Sequence, residues 1–143
     1  MRLYLLRHGE AEPYQTDDAG RALVEAGRRA VLDKADFLEP VSRFLCSPYL
    51  RARQTAELMK PRAGIEPVLD DSLTPEQPVE AALSLLQAGE AETTLVVGHN
   101  PLLSQLLCDL VGERGTLHLH TAGLACLEAE DWFPGGATLM WLR

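Results

Sequence analysis

Arg7-His8-Gly9-Glu10 follows directly on the apolar run Leu3-Tyr4-Leu5-Leu6, which places an arginine and a histidine where a buried strand ends. In open α/β sheets, ligands bind just beyond such strand ends. The same grammar recurs where Leu95-Val96-Val97 runs into Gly98-His99-Asn100-Pro101, and further arginines lie in Leu50-Arg51-Ala52-Arg53. Attack on a phosphoryl group needs an in-line nucleophile and positive charge or donors around the equatorial oxygens. Arg7, Arg51 and His99 can supply that charge without a metal, since guanidinium grips phosphate through two parallel hydrogen bonds and keeps its charge. Neutral imidazole offers a lone pair near neutral pH, and a hydrogen bond to its other nitrogen decides which nitrogen attacks. The pattern therefore points to a site that holds a phosphoryl group and attacks it with a histidine.

Other chemistry fits less well. Metal binding by His8 and His99 is disfavoured because the neighbouring arginine repels a divalent cation, so neither a metal nor a cofactor is expected. His118 and His120 alternate as two ligands on a strand would, but no carboxylate or cysteine at suitable spacing completes a metal set. A cysteine phosphatase places five residues between cysteine and arginine. Cys46 has four before Arg51 and six before Arg53. Arg51 and Arg53, two apart on a helix, point to different faces, so one of them reaches the site and the other is a solvated surface charge.

The elements that must position these residues alternate between strand-length apolar runs and segments of helical period, the βαβ pattern of a largely parallel sheet covered on both faces. Strands are predicted at Arg2–Leu6, Arg43–Cys46, Val68–Leu69, Thr93–Val97, Gly123–Glu128 and Ala137–Leu142. The last two are joined as a hairpin through Phe133-Pro134-Gly135-Gly136. A first helix is predicted over 22–38, after a polar loop Ala11–Gly20. A second is capped by Ser47-Pro48 and stops at Pro61. A third opens on a capping box at Thr74-Pro75-Glu76-Gln77, after the loop Asp70–Leu73. A fourth starts at Asn100-Pro101 and turns Leu103, Leu106, Leu107 and Leu110 inward. Helices beginning at Ser47 and Asn100 would point their positive ends at the rim that carries His8.

A chain of 143 residues with 46% hydrophobic and 24% charged residues has the composition of one globular domain, here 1–143, and no run of transmembrane length. The absence of an apolar leader after Met1-Arg2 gives a cytoplasmic expectation. A formal net charge of −8 argues against nucleic acid and anionic membranes as partners. The three cysteines, Cys46, Cys108 and Cys126, lie in apolar stretches and read as small buried hydrophobes.

Three blocks, Arg7-His8-Gly9-Glu10, Ser47-Pro48-Tyr49-Leu50-Arg51-Ala52-Arg53-Gln54-Thr55-Ala56 and Gly98-His99-Asn100-Pro101, resemble in order and spacing those of the histidine phosphatase (phosphoglycerate mutase-like) superfamily. The short chain and Leu73-Thr74-Pro75 are most like its bacterial phosphohistidine phosphatase branch, the SixA type. The resemblance implies a three-layer α/β/α sandwich with a six-stranded mixed, mostly parallel sheet containing one antiparallel strand. It also implies a metal-independent reaction through a phosphohistidine enzyme intermediate. By block, His8 corresponds to the nucleophile, Arg7 and Arg51 to the phosphate-binding arginines and His99 to the second histidine. Gly9, Glu10, Ser47 and Asn100 are expected to line the substrate.

One departure stands out: the glutamate that relatives carry before Leu-Thr-Pro is Ser72 here. Asn100, where the acid-phosphatase branch has aspartate, cannot act as an acid, which leaves Asp71 and Glu10 as candidates. Weak general acid catalysis suits a leaving group that protonates near neutral pH, such as imidazole. The expected substrate is accordingly a protein phosphohistidine, as on a histidine phosphotransfer domain. The alternatives are a small phosphate ester such as a sugar phosphate, or a phospho-ligand binding module without turnover.

Overall fold

The computed structural model describes residues 1–143. Six strands, β1 (Arg2–Arg7), β2 (Arg43–Cys46), β3 (Val68–Leu69), β4 (Thr93–Gly98), β5 (Leu124–Glu128) and β6 (Thr138–Leu142), form one sheet in the order β3-β2-β4-β1-β5-β6. The pairs β3/β2, β2/β4 and β4/β1 are parallel, whereas β5 runs antiparallel to both β1 and β6. Thus β5 is the single reversed strand, and the sheet is the mixed one expected from the sequence.

Four helices, α1 (Glu25–Leu32), α2 (Leu50–Ala63), α3 (Val79–Gln87) and α4 (Leu102–Val111), cover its faces. The alternation of strand side chains divides the core in two. Leu3, Leu5, Leu45 and Val96 join Ala82 and Leu86 of α3 and the α4 leucines. Tyr4, Leu6, Phe44, Leu95 and Val97 join Val31 of α1 and Ala52, Ala56 and Met59 of α2. Strands buried on both faces require helices on both faces, which gives the α/β/α sandwich. No helix is long and apolar enough to cross a membrane.

Several boundaries differ from those read in the sequence. The first helix is α1 alone, not 22–38. Leu23 instead forms an antiparallel bridge with Ala11, and the Val24 N–H donates to the Glu10 carbonyl. After Leu32 the chain makes only a single 3-10 turn at Ala35–Phe37. Leu23 and Leu38 are buried by these extended flanks, so their spacing imitated a helical face. Helix α2 runs through Pro61 to Ala63, because Met59 and Ala63 are both buried in the core and left-handed Gly64 (φ 79°) closes the end on the Lys60 carbonyl.

Ser47 is not the cap of α2, whose first residue is Leu50, preceded by Tyr49. The Thr74 capping box does not form either. Thr74 Oγ1 donates to the Asp71 carbonyl, its own carbonyl accepts from Gln77 N, and α3 begins only at Val79. The segment holding His118 and His120 lies outside every strand.

The chain leaving β1 is packed tightly against α1. A Cβ on Gly27 would stand 2.2 Å from the Glu10 carbonyl oxygen and 2.8 Å from its nitrogen, and one on Gly9 would stand 2.7 Å from the Gly27 oxygen. Backbone cannot yield as a flexible side chain does. Gly27→Ala is therefore expected to destabilise the fold by about 1–3 kcal/mol, the usual cost of overpacking. A urea-melting midpoint equal to that of the parent would refute the tight contact between α1 and the segment following His8.

Candidate active site

Parallel register assembles the site. Arg7 pairs with Gly98 and Cys46 with Val97, so β1, β4 and β2 end side by side. The pairing continues one step further, since the His8 N–H donates to the Gly98 carbonyl and the Ser47 N–H to the Val97 carbonyl. His8, Ser47 and His99 consequently emerge together, and the two imidazole rings lie 5.0 Å apart between centroids. Arg51, in the first turn of α2, is carried to the same point and is 4% exposed.

His8 Nδ1 lies 2.7 Å from the carbonyl oxygen of Gly9. A carbonyl only accepts, so Nδ1 carries the proton and Nε2 keeps its lone pair. That lone pair faces Arg51 Nε at 3.4 Å. Burial, reinforced by the charges of Arg51, Arg7 and Arg21, lowers the His8 pKa to about 4 despite the opposing Gly9 hydrogen bond. Burial followed by His8 and the same arginines lowers His99 further, to about 2. Both imidazoles are neutral at neutral pH. Burial also lowers Arg7 and Arg51, but a guanidinium stays charged in a protein.

His99 Nε2 lies 2.7 Å from Ser47 Oγ. Ser47 Oγ also accepts from the Tyr49 N–H, and since a hydroxyl has a second acceptor site as well as its own proton, the contact serves either tautomer of His99. His99 Nδ1 and Arg7 Nε are the buried side-chain nitrogens without a hydrogen-bond partner. Buried polar groups are normally satisfied, so two unpartnered nitrogens in the site that holds His8 and Arg51 mark a place for a polar ligand.

The remaining sequence-derived residues divide by what they already touch. The Gly9 N–H donates to Thr55 Oγ1 at 3.1 Å. Ser47 holds His99. Asn100 donates to the Leu119 carbonyl and accepts from the N–H and hydroxyl of Ser104. Glu10 and Asp71 are exposed, and neither side chain bonds to Arg7, His8, Arg51 or His99. Arg53 is exposed while Arg51 is buried, so the two face different ways, as their spacing predicted. The Cys46 thiol is pushed up to about 12 by burial, the opposite of an activated nucleophile. His118 and His120 pack ring to ring at 5.1 Å and are exposed.

Three contributors escaped the sequence reading. The Asp18 carbonyl accepts from Arg51 Nη1 at 2.8 Å, and its carboxylate lies between Arg51 Nη2 (3.4 Å) and Arg21 Nε (2.9 Å). Tyr49 packs edge-on against His99 and lies under the Arg51 guanidinium, 5.1 Å from its ring centroid. The sequence signal for the first two was the Asx turn at Asp17, whose carboxylate accepts from Gly20 N and folds the loop back on itself. Tyr49, immediately before the helix that carries Arg51, offered none. Cavities of about 350 to 720 Å³ lie elsewhere, and none of them is lined by His8, Arg7, Arg51 or His99.

Residues 3–75 match the sequence signature of the histidine phosphatase superfamily (branch 1). The chain is 27% identical over 150 residues to phosphohistidine phosphatase SixA of Escherichia coli, covering 99% of this chain and 92% of that one. It is 33% identical over 141 residues to an uncharacterised protein of Picosynechococcus, with 90% and 86% covered. Its fold superimposes on the protein histidine phosphatase SixA solved with tungstate at a TM-score of 0.88 and 27% identity, over 100% of this chain and 96% of that one. With the signature spanning β1 to the turn before α3 and the whole fold shared, the chain belongs to the histidine phosphatase superfamily.

Proposed function

We propose that the protein removes the phosphoryl group from phosphohistidine on a partner protein, with His8 as the nucleophile. The observation that carries this reading is the lone pair of His8 Nε2, directed at Arg51 Nε, in a buried site where Arg7 Nε and His99 Nδ1 have no hydrogen-bond partner. The similarity to SixA proteins supports the substrate class, and tungstate in the SixA structure supports an oxyanion site, because tungstate is tetrahedral as phosphate is.

In the first step Nε2 attacks phosphorus, an N–P bond forms on His8 and the N–P bond to the substrate imidazole breaks. The leaving nitrogen takes a proton from solvent. Arg7, Arg51 and His99 hold the equatorial oxygens as charge redistributes. In the second step water attacks phosphorus, the bond to His8 breaks, and phosphate and a proton leave.

His8→Ala should abolish both turnover and an acid-labile, alkali-stable phosphate label, with a rate loss on the order of 10³ or more. Arg7→Ala, Arg51→Ala and His99→Ala should each reduce turnover strongly, Arg53→Ala only mildly, and EDTA not at all. A label on another residue, or activity restored by magnesium after chelation, would replace this mechanism.

The depressed pKa values carry a sign. A histidine whose folded value lies below the ordinary 6.5 is neutral in the folded protein while the unfolded chain already binds a proton. Stability should therefore fall as pH drops below about 6.5, until the folded form is protonated in turn, near 4 for His8. The nucleophile should stay neutral down to about pH 5. In a histidine NMR titration of the free protein, the His8 and His99 ring signals should be flat from pH 8 to 5.5, and a midpoint near 6.5 for His8 would contradict the buried, arginine-flanked geometry.

For substrate, kcat/KM measured in one buffer should favour a phosphohistidine protein over sugar phosphates and phosphoserine peptides by at least roughly tenfold, about 1.4 kcal/mol of transition-state discrimination. A metabolite ester hydrolysed fastest would make the enzyme a small-molecule phosphomonoesterase. Phosphate binding without turnover of any substrate would make it a binding module.

A further inference from the structure

The Leu119 carbonyl accepts from two side chains, Arg7 Nη1 at 3.2 Å and Asn100 Nδ2 at 2.7 Å. It belongs to a closed circuit. The Leu119 N–H donates to Ser104 Oγ at 3.0 Å, the Ser104 hydroxyl donates to Asn100 Oδ1 at 2.7 Å, and Asn100 Nδ2 returns to Leu119. Asn100 Oδ1 also takes the Ser104 N–H at 3.1 Å. Both polar ends of the Leu119 backbone are thereby fixed to α4 and to the residue that follows His99.

The circuit has no evident task in closing α4 alone, since the Asn100 to Ser104 N–H bond already satisfies a free donor of that helix. What it adds is the direction of one carbonyl in a segment outside any helix or strand. That carbonyl is the one protein group to which the Arg7 guanidinium is hydrogen-bonded, and Arg7 Nε has no partner. An arginine tethered at one Nη keeps its remaining donors turned to an anion, whereas an untethered one spreads over many rotamers.

We propose that Ser104 and Asn100 are positioning residues that hold the Arg7 guanidinium in the anion site through the carbonyl of Leu119. The inference rests on the reading that Arg7 binds the phosphoryl group. Ser104 touches no reacting atom and acts only through Leu119. Asn100 and Ser104 also line a polar cavity of about 640 Å³ together with Gln105, Cys108, Asp109 and His118. This opening lets solvent satisfy Asn100 Oδ1 if the serine hydroxyl is removed, whereas the N–H of Leu119, a fully buried residue, loses its acceptor. Loss of the hydroxyl should therefore lower the melting midpoint while leaving the chain folded, and the carbonyl loses its fixed direction.

The test is binding of inorganic phosphate, followed by calorimetry. Ser104→Ala should weaken binding about three- to tenfold, the fold-change of one neutral hydrogen bond. Ser104→Thr, which keeps the hydroxyl and has room for a methyl group toward the cavity, should restore it. Asn100→Asp, which sets an acceptor against the Leu119 carbonyl, should weaken binding at least as much as Ser104→Ala. Gln105→Ala, on the same cavity wall without a part in the circuit, should leave binding unchanged. In an Arg7→Ala background, Ser104→Ala should add nothing, because neighbours acting through one group are not additive.

An equal loss with and without Arg7, or equal weakening by Gln105→Ala, overturns the proposal. If the parent protein binds no phosphate, the anion-site reading fails, and the relay is judged in the ligand-free protein by NMR. There, Ser104→Ala should move both the Leu119 amide and the Arg7 Nε–H resonances. Movement of Leu119 alone would show that the circuit does not reach Arg7.

Discussion

Because β4 lies between β1 and β2 and pairs with both in parallel register, three strands buried in the sandwich end within one residue of one another, and the residues that follow them must share a small volume. His8, Ser47 and His99 are those residues. Their positions depend on backbone hydrogen bonds in the most buried part of the sheet, not on loops. Placing a constellation on rigid elements keeps it within the tolerance that chemistry requires. Gly9 and Gly27 extend the constraint outward, since the chain leaving β1 can pass α1 only where neither residue carries a Cβ.

The electrostatics follow from the same crowding. Two imidazoles and two guanidiniums in a largely dry space cannot all be charged, and the arginines, with much the higher affinity for protons, remain so. The histidines are therefore the groups that give up charge, and neutral imidazole is the form with a lone pair. Asp18 moderates the remaining positive charge by bridging Arg21 and Arg51. In a chain of net charge −8, Arg7, Arg21 and Arg51 thus set a local positive charge around the two histidines.

The strands were legible because each is an apolar run broken by a polar or turn residue, and a run such as Leu3 to Leu6, buried on both faces, has no other stable place in a chain of this length. Arg7, His8 and His99 were legible because they end such runs. Arg51 was legible from its place in the block Ser47 to Ala56, the offset showing only that it and Arg53 face different ways, although the helix boundaries around it were not. Ser47 and Thr74 have the chemistry of caps, yet other contacts claimed both side chains, a tertiary one to His99 for the first and a local turn for the second. Leu23 and Leu38 satisfied helical spacing while lying in extended segments, since burial alone does not record backbone conformation. Asp18 and Arg21 lay in a stretch with no periodicity, where only the fold of the loop could show that it returns to Arg51.

The disposition of the carboxylates bears on which leaving groups the site can expel. No aspartate or glutamate is buried. Asp18, the carboxylate bonded to Arg51, is held between two guanidiniums, and Ser72 carries a hydroxyl whose backbone N–H serves the Asp70 turn. A carboxyl raised to protonate an ester oxygen is usually one taken out of water and away from cations. An alkoxide leaving group, whose conjugate acid is a far weaker acid than imidazolium, would depart poorly without such a donor. An imidazole nitrogen, with an ordinary value near 6.5, finds its proton in solvent at neutral pH. In the proposed reaction the site's burden is therefore the phosphoryl group alone, and the residues it assembles at close range, one lone pair and a set of oriented cationic or N–H donors, are those that burden requires.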